Sequence, residues 1–187
     1  PEHYSLGMVG FLIGLTVFFL SFLSTAFFCL FLREDFSKSM QKKRVAVLGS
    51  TGSIGTSTLR VVADYPDLFE IVALGVHRNI DQLQSQMLSH PEAYFYIAEE
   101  DSRKVFVERN PDLKHQSVDT ANGLEDLIDC SRPDIIVLAT VGFTGLRPAI
   151  HALERGIPLA LANKEVLVVG GELIDRLRKE GNMTPIF

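Results

Sequence analysis

Val45-Ala46-Val47-Leu48-Gly49-Ser50-Thr51-Gly52-Ser53-Ile54-Gly55 is where a short apolar run gives way to three glycines spaced as GxxGxxG. The apolar part is continuous, as a strand buried on both faces must be. Ser53 to Asp64 then reads as a helix. A glycine turn between strand and helix is the opening of a phosphate-binding βα unit. Glycine permits the sharp turn, lets backbone approach a pyrophosphate, and allows the helix to pack tightly on the strand. The amides of Thr51, Gly52, Ser53 and Ile54 are expected to point at phosphate oxygens from the positive end of the helix. Glycine-rich turns also occur without any ligand, so the weight falls on their surroundings.

Outward from this turn the chain alternates apolar runs with amphipathic stretches, the pattern of a parallel sheet covered by helices. Strands are expected at 44–49, 69–76, 93–98, 134–140, 158–162 and 184–187. Helices are expected at 53–64, 80–89, 101–109, 123–130, 146–154 and 164–179. Tyr65-Pro66-Asp67, Ser131-Arg132-Pro133 and Glu154-Arg155-Gly156 punctuate them as turn and helix-stop signals. Residues 40–187 are thus expected to form an α/β domain with a Rossmann-like doubly wound parallel sheet.

Residues 1–39 are unlike the rest. Leu6 to Leu32 runs 27 residues without a charge and holds seven of the 13 phenylalanines. About 20 apolar residues span a hydrocarbon core, so one apolar helix of transmembrane type is expected there. Basic residues follow only on the far side, at Arg33, Lys38, Lys42, Lys43 and Arg44, which would place the domain in the cytoplasm if the segment is an anchor. The rival reading is an extension foreign to the domain, because Met40 stands where a domain opening QKKRVAVLG would start. Any membrane association would run through residues 6–32 alone.

The net charge is −5 with scattered basic residues, which leaves no footprint for nucleic acid. Cys29 and Cys130 are the only cysteines, so neither a disulfide framework nor zinc spacing exists, and a reducing cytoplasm fits. His90, His115 and His151 have no ligand spacing and are expected at the surface.

The end of the second strand selects between dinucleotides. An NAD site usually offers a carboxylate to the ribose 2′-hydroxyl, whereas an NADP site offers a cation to the 2′-phosphate. Here the chain reads Gly75-Val76-His77-Arg78-Asn79 with no carboxylate before Asp81, so Arg78 is the candidate for the 2′-phosphate, with Asn79 beside it and His77 against the adenine. A second candidate region, Leu161-Ala162-Asn163-Lys164-Glu165, ends a short strand and opens a helix at the edge where doubly wound sheets bind ligands. Asn is also a good N-cap and Glu suits a first helical turn, so these residues alone would equally make an ordinary helix start.

LGSTGSIG (48–55), VALGVHRN (72–79), TVGFTGLRPAIHAL (140–153) and LANKE followed by VLVVGGEL (161–173) together resemble the 1-deoxy-D-xylulose 5-phosphate reductoisomerase family. The resemblance runs from about residue 42 to the end. It implies an NADPH-dependent oxidoreductase of isoprenoid precursor biosynthesis that rearranges 1-deoxy-D-xylulose 5-phosphate and reduces the product to 2-C-methyl-D-erythritol 4-phosphate. It also implies that Thr51, Gly52, Ser53 and Ile54 bind the pyrophosphate, that Arg78 and Asn79 hold the adenosine end, that Asn163 and Glu165 contact the cofactor, and that Lys164 contacts the sugar-phosphate substrate. His77 stands where the family often has glycine. A divalent cation, magnesium or manganese, and a homodimer are implied for the whole enzyme. The family's acidic metal ligands follow the strand represented by Thr184 to Phe187, so the metal site and the C-terminal domain are expected beyond these residues, and residues 40–187 would bind cofactor without catalysing the reaction.

Two other readings compete. A semialdehyde or acyl-phosphate dehydrogenase would need a cysteine nucleophile, and Cys130, the only candidate, has no base in view and reads as a small packed residue. A membrane-anchored nucleotide-binding module would need no catalytic domain.

Overall fold

Strand β1 (Lys43–Leu48) lies at the centre of a five-stranded, wholly parallel sheet. The computed structural model describes residues 41–180 and 184–187. The expected apolar helix at Leu6–Leu32 lies outside them; among the described residues no helix is long and apolar enough to cross a membrane. The elements follow as α1 (Ser53–Asp64), β2 (Phe69–Val76), α2 (Ile80–Ser89), β3 (Tyr94–Ile97), α3 (Glu100–Arg109), α4 (Leu124–Ser131), β4 (Ile135–Leu138), α5 (Leu146–Glu154), β5 (Leu159–Leu161) and α6 (Lys164–Glu180).

The strand order is β3-β2-β1-β4-β5, so the chain winds outward from β1 in one direction, returns, and winds outward in the other. This is the expected doubly wound plan. Residues 184–187 extend it: the amide of Leu159 donates to Pro185 O at 3.0 Å and that of Phe187 to Leu159 O at 3.0 Å, in parallel register.

Strand alternation explains the layers. On β1, Val45 and Val47 face a core with Val62 of α1, Leu83 and Met87 of α2, and Phe106 of α3. Ala46 and Leu48 face the other core, with Leu127 and Ile128 of α4, Leu153 of α5 and Ile174 of α6. Because successive side chains point to opposite faces, an unbroken apolar strand needs helices on both sides, and these apolar helical stripes supply them. Phe95 and Phe106 close the first core edge to face, with centroids 5.1 Å apart.

The departures from expectation sit at element ends. Strand β4 stops at Leu138 rather than residue 140, and a 3-10 turn at Gly142–Gly145 precedes α5. A second 3-10 turn, Pro111–Gln116, was likewise not foreseen; such short turns carry no extended periodicity. Helix α4 starts at Leu124 because Gly123 has φ +55, outside the right-handed helical region. His115 is exposed as expected, but His90 is half-buried, which pushes its imidazole pKa down, and the His151 side chain is only 17% exposed, with Nε2 3.0 Å from Asp129.

Gly49 and Gly55 are the two tightest glycine positions, and of the two only Gly49 has a positive φ. Gly49 has φ +93, and an added Cβ would lie 2.4 Å from Ala139 O. Gly171, inside α6, is its opposite, with nothing within 4 Å of an added Cβ. Gly49→Ala is therefore expected to destabilise the domain by about 2–4 kcal/mol. Gly171→Ala should stabilise it by about 0.5–1 kcal/mol. Urea unfolding of both variants checks the pair; equal effects would contradict this packing.

Candidate nucleotide-binding site

The glycine turn is held from beneath by two elements. The amides of Gly49 and Ser50 both donate to Gly75 O of β2, at 2.8 and 3.0 Å. Ser50 is fully buried; its hydroxyl donates to Gln86 Oε1 at 2.7 Å, and its carbonyl accepts from Gln86 Nε2 at 2.9 Å. Gln86 belongs to α2 and is itself 8% exposed. Gly55 brings α1 onto the turn, since a Cβ there would meet Gly49 O at 2.3 Å.

Gly52 is the N-cap of α1, and no side chain caps it. The first-turn amides of a helix have no acceptor within the helix, so those of Ser53 and Ile54 remain available to an anion. The Gly52 amide departs from expectation because it donates within the turn, to Gly49 O at 3.1 Å. The Thr51 amide has no acceptor among the described residues.

Above the turn lies a cleft of about 360 Å³ at the carboxyl ends of β1 to β4. Thr51, Gly52, His77, Tyr96, Leu124 and Thr140 are among its lining residues. This is the crevice where the strand order reverses, the usual ligand position in such sheets. Thr140 Oγ1 is a buried oxygen with no hydrogen-bond partner among the described residues.

The remaining expected residues divide. His77, Arg78 and Asn79 form the exposed loop after β2, and no ion pair among the described residues engages Arg78. Asn79 also caps α2, its Oδ1 accepting from the Gln82 amide at 3.2 Å. Asn163, expected to contact the cofactor, is 2% exposed and has its side chain occupied. Its Nδ2 donates to Thr140 O and Gly142 O, both at 2.8 Å, and its Oδ1 accepts from the Val166 amide at 3.3 Å. Asn163 thus holds the loop after β4 and caps α6; it does not line the cleft. Lys164 and Glu165 open α6 after β5, and Glu165 is half-buried. Glu165 is not among the residues that line the cleft. Cys130, expected to be packed, is exposed on α4 and away from the lining.

A family model described as 1-deoxy-D-xylulose 5-phosphate reductoisomerase matches residues 45–171. The chain belongs to this family. The reductoisomerase of Phocaeicola vulgatus is 40% identical over 146 residues, 78% of this chain and 38% of its own length. That of Mycobacterium bovis is 41% identical over 146 residues, covering 76% and 33%. The chain therefore spans about two fifths or less of the curated reductoisomerases it matches. Among solved structures, the Zymomonas mobilis reductoisomerase in complex with NADPH superposes with a TM-score of 0.70 at 29% identity, over 79% of this chain and 38% of that one. A reductoisomerase in complex with NADPH, fosmidomycin and magnesium gives 0.70 at 28% identity, over 77% and 35%. An archaeal homoserine dehydrogenase, at 15% identity and a TM-score of 0.51, shares the fold alone.

Tyr96, Leu124 and Thr140 in the lining, and the Ser50–Gln86 pair under the turn, were not singled out from the sequence. Tyr96 lies near the end of β3, beside β2, and Thr140 lies just past the end of β4, beside β1, so strand order would have pointed to them; Gln86 had only its position on the inner face of an amphipathic helix.

Asn163→Ala leaves two backbone carbonyls and a helix start without their partner. It is expected to lower stability by about 2–4 kcal/mol in calorimetric unfolding. Asn163→Asp keeps the cap acceptor but turns oxygen toward both carbonyls, and should fare no better. A change below about 0.5 kcal/mol in Asn163→Ala would contradict this role.

Proposed function

We propose that this chain binds NADPH in the crevice above its glycine turn, as the cofactor-binding part of an enzyme that converts 1-deoxy-D-xylulose 5-phosphate to 2-C-methyl-D-erythritol 4-phosphate. The observation that carries the reading is the uncapped start of α1 beside the cleft, with an arginine on the loop after the neighbouring strand that no ion pair among the described residues engages. The residues suit a dinucleotide. Amides of Thr51, Ser53 and Ile54 would receive the pyrophosphate, with the positive helix end behind them. Arg78 would pair with the 2′-phosphate, and its guanidinium offers the fork geometry that phosphate prefers. His77, with Tyr96 and Leu124 in the same lining, would flank the adenine. The orphan Thr140 hydroxyl would meet a polar group further along the cleft.

NADPH in this site would supply the hydride that reduces the rearranged aldehyde. Lys164, at the carboxyl edge of the sheet, is the candidate contact for the sugar phosphate, and Glu165 beside it for the cofactor. Asn163 would serve by fixing the cleft wall at residues 140–142. No group of three His, Cys, Asp or Glu side chains among the described residues could hold a metal ion.

The choice of NADPH over NADH is tested at Arg78. A charge-assisted contact on a partly exposed loop is worth about 1.5–3 kcal/mol, or one to two decades in affinity. Arg78→Ala should weaken NADPH by that factor and leave NADH within about twofold when both are titrated into the full chain. An equal loss for both, or no loss for either, would place the 2′-phosphate elsewhere.

A further inference from the structure

Every polar group of Ser50 is engaged. Its amide donates to Gly75 O, its hydroxyl to Gln86 Oε1, and its carbonyl accepts from Gln86 Nε2 at 2.9 Å. The carbonyl bond bears on the next residue, because a peptide unit is planar and no bond among the described residues is cis. With the Ser50 carbonyl directed at Gln86, the Thr51 N–H of the same peptide plane is directed oppositely, away from α2. Thr51 lines the cleft, and its amide has no acceptor among the described residues. Among the described residues the Gln86 amide is thus the one partner of that carbonyl, in a place where water has little access, Ser50 being fully buried.

We infer that Gln86 is a positioning residue for cofactor binding, fixing the Ser50–Thr51 peptide so that its N–H rather than its C=O faces the pyrophosphate. The inference rests on the reading that the cleft takes NADPH. Gln86 never touches the ligand; it acts through one peptide plane. Without it the carbonyl has no reason to stay buried, and rotation of the plane would present a carbonyl oxygen to an anion where a donor had been. The same helix is capped by Asn79, directly after Arg78, so α2 carries the anchor of the pyrophosphate turn and starts at the edge of the 2′-phosphate loop.

Gln86→Met keeps the length and bulk of the side chain and removes its amide. Calorimetric titration of the full chain would compare NADPH with adenosine 2′-monophosphate, which has the 2′-phosphate and adenine but no pyrophosphate. The variant is expected to bind NADPH about tenfold more weakly or worse and adenosine 2′-monophosphate within twofold of wild type. A general loosening of the fold would weaken both ligands together. Equal losses, or none, would overturn the role of Gln86 while leaving the cofactor reading intact. Wild type that binds neither ligand would overturn that reading and this one with it. Should the variant fail to fold, the wild-type Thr51 amide proton decides: it is expected to move downfield on adding NADPH, and an unmoved resonance would overturn the inference.

Discussion

Strand β1 leaves the sheet through Gly49, where an added Cβ would lie 2.4 Å from the Ala139 carbonyl oxygen on the neighbouring strand connection. That close approach brings the ends of β1 and β4 together at the point where the strand order reverses. The bonds from Gly49 and Ser50 to Gly75 O tie the same turn to β2. One glycine is therefore held between both neighbours of the central strand, and the cleft lies over that junction. A side chain at residue 49 would have to displace backbone, which is stiffer than any side chain in the core.

Two further anchors give the cleft its walls. Gln86 reaches under the glycine turn from α2, and Asn163 reaches under the 140–142 loop from the start of α6. Each is a carboxamide, a group with donors and an acceptor on one planar head, and each spans two or more backbone or side-chain partners. Neutral side chains suit this task because burying them costs far less than burying a charge. The wall on one side and the floor on the other are thus fixed by side chains that do not line the binding surface, which leaves the backbone amides of the turn free for a ligand.

The layers could be read from the residues because both periodicities are strong. VAVL and FEIVALGV are too continuously apolar for anything but a strand covered on both faces, and α1, α2 and α5 begin and end where their turn residues predict. The glycine turn, the Arg78 loop and the boundary at Lys164 were likewise visible as local chemistry. What the chain did not disclose is non-local. The Ser50–Gln86 pair joins residues 36 apart, and Asn163 bonds carbonyls 23 and 21 residues earlier, contacts that no local spacing encodes. Asn163 shows the difficulty well: both an N-cap and a cofactor contact fitted its position, and the bonds of its side chain establish the first.

The central claim is that the turn from Gly49 to Gly55 holds the pyrophosphate of NADPH. A crystal structure of the chain grown with NADPH tests it most directly. Pyrophosphate oxygens are expected within about 3 Å of the Thr51, Ser53 and Ile54 amide nitrogens, with the adenosine 2′-phosphate beside Arg78. A cofactor bound on another surface, with the cleft above the glycine turn empty, would contradict it.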